Sequence, residues 1–255
     1  MANYIRAYPT RDQFLKASLE GVREEWLVSN TRPIIESKLI YLHDQALGLC
    51  PSTSSASSHL ITDSITSRYL PPPELILEVF RWMSPKEVRV IILGMDPYPN
   101  AQDACGVAFQ SFADEMPLAA RRINANLLKH GHITERDATC SIYQTWLKQG
   151  VLLMNSALTL VEGKSGSHAV IWSNADFIPT LLRNVNPNTI LLTVGGNARQ
   201  AASSLPFKNK IDIVHPSAPG KEAAFISNDV FGQINRMLTS QGSRPIDWRP
   251  GQVTR

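Results

Sequence analysis

Apolar positions along the first part of the chain recur every three or four residues. Leu15, Leu19, Val22 and Trp26 follow a Thr10–Gln13 pair that fits a capping box, and the spacing predicts an amphipathic helix running to Trp26. A second helix is expected after Pro33, with Ile34, Ile35, Leu39, Ile40 and Leu42 as its apolar content. "PSTSSASSHLITDSITS", Pro51 to Ser67, has no period and reads as a surface loop or short linker. A third helix is expected behind Pro71 to Pro73, carrying Leu75, Ile76, Val79, Phe80 and Met83, because proline can start a helix but not continue one. From there the pattern changes. "EVRVIILG", "VLLMN" (Val151 to Asn155), "TILLTVG" (Thr189 to Gly195) and "IDIVHPS" (Ile211 to Ser217) are short and almost continuously apolar. Such runs suit strands of a parallel sheet covered on both faces. Helical patterns separate them at Leu118 to Lys129, Ile142 to Lys148, Ala175 to Arg183 and Asp229 to Leu238. Alternating strand and helix predicts an α/β fold: three αβα layers around a central, mainly parallel four-stranded sheet with right-handed crossovers.

Composition narrows the class without fixing the function. The 255 residues are 43% hydrophobic and 18% charged, as expected of a globular chain, and one domain of this architecture can be that long. The expected organisation is an N-terminal helical region with its serine-rich loop over 1–70 and a core over 71–255, together one domain. A formal charge of +3 permits nucleic-acid binding without demonstrating it. Cys50, Cys105 and Cys140 are odd in number and lack paired ligand spacing, against both a disulfide framework and a zinc site. No apolar run approaches the roughly 18 residues of a membrane span, and no signal-peptide order opens the chain, so an intracellular protein of nucleus or cytoplasm is expected.

Ligands of open α/β sheets collect beyond the carboxyl ends of the strands. Here those ends deliver Asp96, Asn155, the pair Gly195 and Gly196, and His215. Asp, Asn and Gly also serve as ordinary turn and cap residues. Asp96 and His215, however, each precede a proline, which keeps them out of helical geometry and aims their side chains. The chain contains no G-x-S-x-G, no G-x-x-x-x-G-K-[ST], no G-x-G-x-x-G and no H-E-x-x-H, so serine-hydrolase, phosphate-cradling and zinc-protease readings lose their support.

Taken in order, the blocks at these strand ends resemble those of the uracil-DNA glycosylases of the main uracil-excising class. "GMDPYPN" is similar to that family's water-activating G-Q-D-P-Y-H, and "GVAFQS", Gly106 to Ser111, follows at its spacing. "WLKQGVLLMNSALTL", "HPSAPG" and the C-terminal "PIDW" have counterparts in the same order, and the likeness covers about residues 70 to 248. D-P-Y-P together with "SHAVIW" is most like the poxvirus members. The resemblance implies hydrolysis of the N-glycosidic bond of deoxyuridine in DNA, without metal or cofactor.

It also implies roles. Asp96 would lie below the sugar and activate water, and His215 would donate to the uracil oxygen that becomes negative. Asn155 would read the O4 and N3–H edge, Phe109 would stack on the flipped base, and Tyr98 would wall off the place of a thymine methyl, with Met95 beside the base. Pro97 and Pro219 fall where the family meets DNA. Ser217, Lys221, Arg121 and Arg122 are candidates for phosphate contact, or plain solvated surface. Met95, Pro99, Gly196 and Pro219 depart from the family's Gln, His, Ser and wedge-forming Leu, and "EMPLAARR" shortens its proline-rich loop, so the grip on DNA departs more than the chemistry. Two alternatives stay open: a DNA-binding scaffold with a replication or polymerase partner, and excision of another base.

Overall fold

The computed structural model describes residues 7–47, 68–172 and 177–253; the serine-rich stretch and Cys50 lie outside them. Helix α1, Arg11–Leu19, starts at the expected capping box, with the Thr10 hydroxyl accepting from the Gln13 amide. It stops at Leu19 instead of continuing to Trp26. Trp26 sits in a separate 3₁₀ turn, Glu24–Trp26, where its indole donates to the Met83 carbonyl at 2.7 Å and packs edge-on against Phe80. Burial of this one large side chain outweighs continuation of the helix. Helix α2, Arg32–Ala46, forms as its pattern suggests.

Strand β1, Tyr69–Leu70, is followed by the largest departure from expectation. Residues 73–87 form three 3₁₀ turns, Pro73–Leu75, Glu78–Arg81 and Pro85–Glu87, not one helix. Ile76, Leu77, Val79, Phe80, Trp82 and Met83 are all buried, so packing on several sides replaces a single apolar stripe. Glu78 accepts from both Trp82 and Arg81, and Ser84 with Glu87 closes a capping box that ends the segment.

Strand β2, Val90–Gly94, then enters the core. After it come α3 (Leu118–Lys129), α4 (Gln144–Leu147), β3 (Val151–Asn155), β4 (Leu160–Val161), α5 (Ala169–Trp172) and α6 (Phe177–Leu182). The chain finishes with β5 (Ile190–Val194), α7 (Gly196–Ala201), β6 (Asn209–Ile213), α8 (Glu222–Ser227) and α9 (Val230–Ser240). The main sheet has order β3-β2-β5-β6 and every pairing in it is parallel. All residues of β2 and β5 are buried, which requires cover on both faces and explains why these strands read as unbroken apolar runs. β6 begins two residues before its apolar run and ends at Ile213, because its pairing with β5 ends at Val194. As the edge strand it alternates, with Ile211 and Ile213 buried and Lys210 and Asp212 not.

β1 and β4 form a separate antiparallel pair, too short to carry a sequence period. Phe14, Trp26, Ile35 and Leu39 share one apolar cluster with Leu93, Leu153 and Trp248, so the N-terminal helices pack on the same core as the sheet. The C-terminal segment is fixed there by Trp146, whose indole donates to the Trp248 carbonyl at 2.9 Å. Among the described residues, no helix is long and apolar enough to cross a membrane.

Candidate active site

Parallel pairing brings the carboxyl ends of β2 and β3 side by side, with Gly94 opposite Asn155. A Cβ at position 94 would stand 2.4 Å from the Asn155 Oδ1, so glycine here is the condition for the amide to lie across the strand end. Two residues on, the Asp96 carboxylate accepts from the Ser165 hydroxyl at 2.8 and 3.1 Å and from the Gly166 amide at 2.5 Å.

Pro97 is buried and turns the chain so that the Tyr98 hydroxyl donates to the Phe109 carbonyl at 3.1 Å. Burial pushes the Tyr98 phenol well above its ordinary pKa, so it acts as a neutral donor. Phe109 is the one non-glycine residue with positive φ (65°) among those described. The neighbouring Ala108 amide donates to the Leu153 carbonyl of β3, and the Tyr98 bond secures the carbonyl side; the strained backbone is held from both ends.

His215 lies two residues past β6. Its Nδ1 accepts from the Ser217 amide at 3.1 Å, which puts the ring proton on Nε2 in the neutral form. Burial lowers its pKa, against the opposing pull of the Asp96 charge, and the imidazole is neutral at pH 7. Its ring centre is 6.2 Å from that of Phe109.

A cavity of about 360 Å³ gathers these groups; Asp96, Tyr98, Phe109, Asn155, Ser165 and His215 all line it. Met95, Pro97 and Ser217 are on its wall as well. The volume suits a nucleobase with part of its sugar. A larger groove of about 640 Å³ joins it at Met95 and Asp96 and is lined by Ser156, Asn197 and Gln200. Among the described residues, no three His, Cys, Asp or Glu side chains gather as metal ligands would.

The four remaining candidates lie outside this cavity. Pro219 and Lys221 are exposed on the turn into α8, and Arg121 is exposed on α3. Arg122 is engaged within the protein: it donates to the Pro216 carbonyl at 2.6 Å and to Glu222 at 2.8 Å, so it ties α3 to the His215 turn. Ser165 and Gly166 are the residues that reading the sequence missed. They lie in a small-residue loop after a two-residue strand, where no periodicity marks a position.

A carboxylate, an amide, a neutral imidazole and an aromatic ring gathered in one cavity suit a planar heterocycle joined to a sugar. Comparison with known proteins gives the same direction. Residues 80–239 match the model of the uracil DNA glycosylase superfamily. The chain is 33% identical over 187 residues to a uracil-DNA glycosylase of Streptococcus thermophilus, covering 70% of this chain and 82% of that protein. It is 30% identical over 196 residues to that of Mycoplasma genitalium, covering 72% and 79%. The crystal structure of mimivirus uracil-DNA glycosylase shares the fold, with a TM-score of 0.66 over 96% of this chain and 92% of that one, at 24% identity. With the superfamily model spanning most of the sheet and every strand end that lines the cavity, this chain belongs to the uracil-DNA glycosylase superfamily.

Proposed function

We propose that the protein is a monofunctional uracil-DNA glycosylase, which hydrolyses the N-glycosidic bond of deoxyuridine in DNA, releases uracil and leaves an abasic site for base excision repair. One observation carries this reading: a carboxylate, an Asn amide and an Nε2-protonated neutral imidazole meet in one base-sized cavity. A base inside a duplex cannot reach such a cavity, so the nucleotide is extruded or taken from a single strand.

Asp96 aligns water against the anomeric carbon and stabilises the positive charge that develops on the sugar. His215 donates from Nε2 to the uracil oxygen that gains charge as the bond breaks. The Asn155 amide pairs with uracil O4 and N3–H and is mismatched to the reversed pattern of cytosine, which would leave buried polar groups unpaired. Phe109 stacks on the base, Tyr98 bars a 5-methyl group, and Met95 closes the side next to Asp96. Pro97, Ser217 and Pro219 lie along the DNA path, and Arg121 and Lys221 have the free exposure that phosphate contact requires. Arg122, held by Pro216 and Glu222, is better suited to bracing the His215 turn than to phosphate.

Uracil-containing DNA is the partner. A replication or polymerase partner is supported by the poxvirus-like D-P-Y-P and "SHAVIW" blocks only. Residues 71–255 form the glycosylase core, and the helices of 1–70 belong to the same domain through the cluster they share with it.

Release of free uracil from single- and double-stranded oligonucleotides tests the assignment. Asp96→Asn and His215→Leu are each expected to lower the rate by about 10²- to 10⁴-fold, the range for loss of a positioned acid–base or electrostatic group. Full activity in both variants would remove the mechanism.

A further inference from the structure

The turn that carries Asp96 is stiff but has no side-chain donor of its own aimed at the carboxylate, since Pro97 and Pro99 flank Tyr98 and the tyrosine hydroxyl is spent on Phe109. The hydrogen bonds that reach Asp96 among the described residues come from across the cavity, from the loop between β4 and α5. Ser165 spans both carboxylate oxygens, closer to Oδ2, and the Gly166 amide adds a second bond to Oδ2. Oδ2 is therefore the anchored oxygen and Oδ1 the freer one. Bonds of this type, with a charged acceptor, are roughly twice as strong as neutral ones and fix rotation about the side-chain axis.

The loop is built to hold that geometry. β4 pairs with β1, the Val161 amide donates to the Ser167 hydroxyl at 2.7 Å, and the Lys164 amide donates to the Val161 carbonyl at 2.8 Å. The Gly163 amide donates to the Pro99 carbonyl at 2.8 Å, so loop and catalytic turn are joined at a second point. Beneath them runs a buried chain: the Trp172 indole donates to the Thr159 hydroxyl oxygen at 2.8 Å, and Thr159 is 2.9 Å from the His168 Nδ1. The Thr159 hydroxyl thus joins the Trp172 indole to the His168 ring in one buried hydrogen-bonded chain. Gly166 has φ of 79°, and a Cβ there would stand 3.2 Å from the Met95 methyl, so a side chain at this position would both strain the backbone and crowd the carboxylate's neighbour.

We infer that Ser165 is a positioning residue for the attacking water: with the Gly166 amide it locks the rotation of Asp96, and its own oxygen is the water's second acceptor. This rests on the glycosylase reading. The Ser165 hydroxyl donates its proton to Asp96, which leaves its oxygen as an acceptor on a residue that lines the cavity. A water that donates one hydrogen to Asp96 Oδ1 and the other to Ser165 Oγ directs an oxygen lone pair at the anomeric carbon. As the oxygen bonds to that carbon, the N-glycosidic electron pair leaves with uracil and the water's released proton passes to Asp96. Position 165 thus supplies orientation, which acts on kcat, while base recognition stays with Asn155 and Phe109.

Steady-state uracil release from a single-stranded oligonucleotide, measured for wild type, Ser165→Ala and Ser165→Thr, tests the inference. The alanine variant should lose about ten- to a hundredfold in kcat, the loss expected for one hydrogen bond to a charged group, with KM within about twofold. Threonine, which restores the hydroxyl, should recover most of the loss, and Ser165→Ala should cost nothing further in an Asp96→Asn background. An unchanged kcat in Ser165→Ala overturns the inference, and so does equal loss in the alanine and threonine variants with a raised KM. If wild type releases no uracil, the functional reading fails. The clamp is then judged separately by the Gly166 amide resonance, which should move strongly upfield in Asp96→Ala with the rest of the spectrum retained; an unmoved resonance overturns the clamp.

Discussion

As the proposed filter, Tyr98 would act by shape, and its anchoring would decide how sharp that shape is. Its hydroxyl is tied to the carbonyl of Phe109, the residue expected beneath the base, so wall and floor of the cavity are set by one hydrogen bond. Tyr98→Ala should open room for a 5-methyl group and allow measurable thymine release, together with reduced uracil turnover because the floor loses its tie. Tyr98→Phe keeps the wall and should still refuse thymine; competition between uracil and thymine oligonucleotides separates the two. Thymine release by the phenylalanine variant, or none by the alanine variant, would move the filter elsewhere. Much of this site was legible at the level of single residues. Asp96, Asn155 and His215 stand where a parallel sheet must present its ligands, and prolines mark two of them. Ser165 was not legible, because its importance comes from a loop folded back over Asp96, a contact 69 residues apart in sequence that no local pattern records.

At the scale of elements, periodicity succeeded where one environment controls a segment and failed where several compete. β3 spans Val151–Asn155 as its apolar run suggests, and α3 spans Leu118–Lys129. The 73–87 segment broke into 3₁₀ turns because its apolar side chains are buried on several sides at once. The β4–α5 loop depends on a different kind of interaction, the Trp172–Thr159–His168 chain, and that chain makes its stability sensitive to acid. Burial lowers the His168 pKa from 6.5 to about 4, so over that window the unfolded chain binds a proton that the folded protein refuses. Stability is therefore full above about pH 6.5 and falls as pH drops toward 4, by about 2 kcal/mol at pH 5 for this one group. His215, shifted the same way, adds to the slope. Urea unfolding at pH 7 and pH 5 should show the loss, and His168→Asn, which cannot titrate, should flatten it in part. An equally steep pH dependence in that variant would assign the effect to other groups.

For the whole molecule, the hold on DNA follows from the proposed site: the sequence resemblance keeps Asp96, Asn155 and His215 but departs from the family's motifs at Met95, Pro99, Gly196 and Pro219 around them. Pro219 is exposed at the position that the sequence resemblance matches to the family's wedge-forming leucine, and a pyrrolidine ring is too short to fill the gap left by an extruded nucleotide. The Arg122 bonds to Pro216 and Glu222 also tie the two cavity-flanking segments, α3 and the His215 turn, to each other. A rigid rim without a wedge contributes little to unstacking, which costs a few kcal/mol per base in a duplex and far less in a single strand. Uracil should therefore be released faster from single strands than from duplex, and a U·G mismatch should narrow the gap because it is cheaper to open. Salt separates the two arginines. Arg121→Ala should weaken single-strand binding and reduce the slope of log affinity against log salt by about 0.7, as expected for one lost phosphate contact. Arg122→Ala should leave that slope unchanged and lower kcat, because the His215 turn is released rather than a phosphate. Faster release from duplex than from single strand would mean that some other group performs the wedging, and a salt slope altered only by Arg122→Ala would exchange the roles of the two arginines.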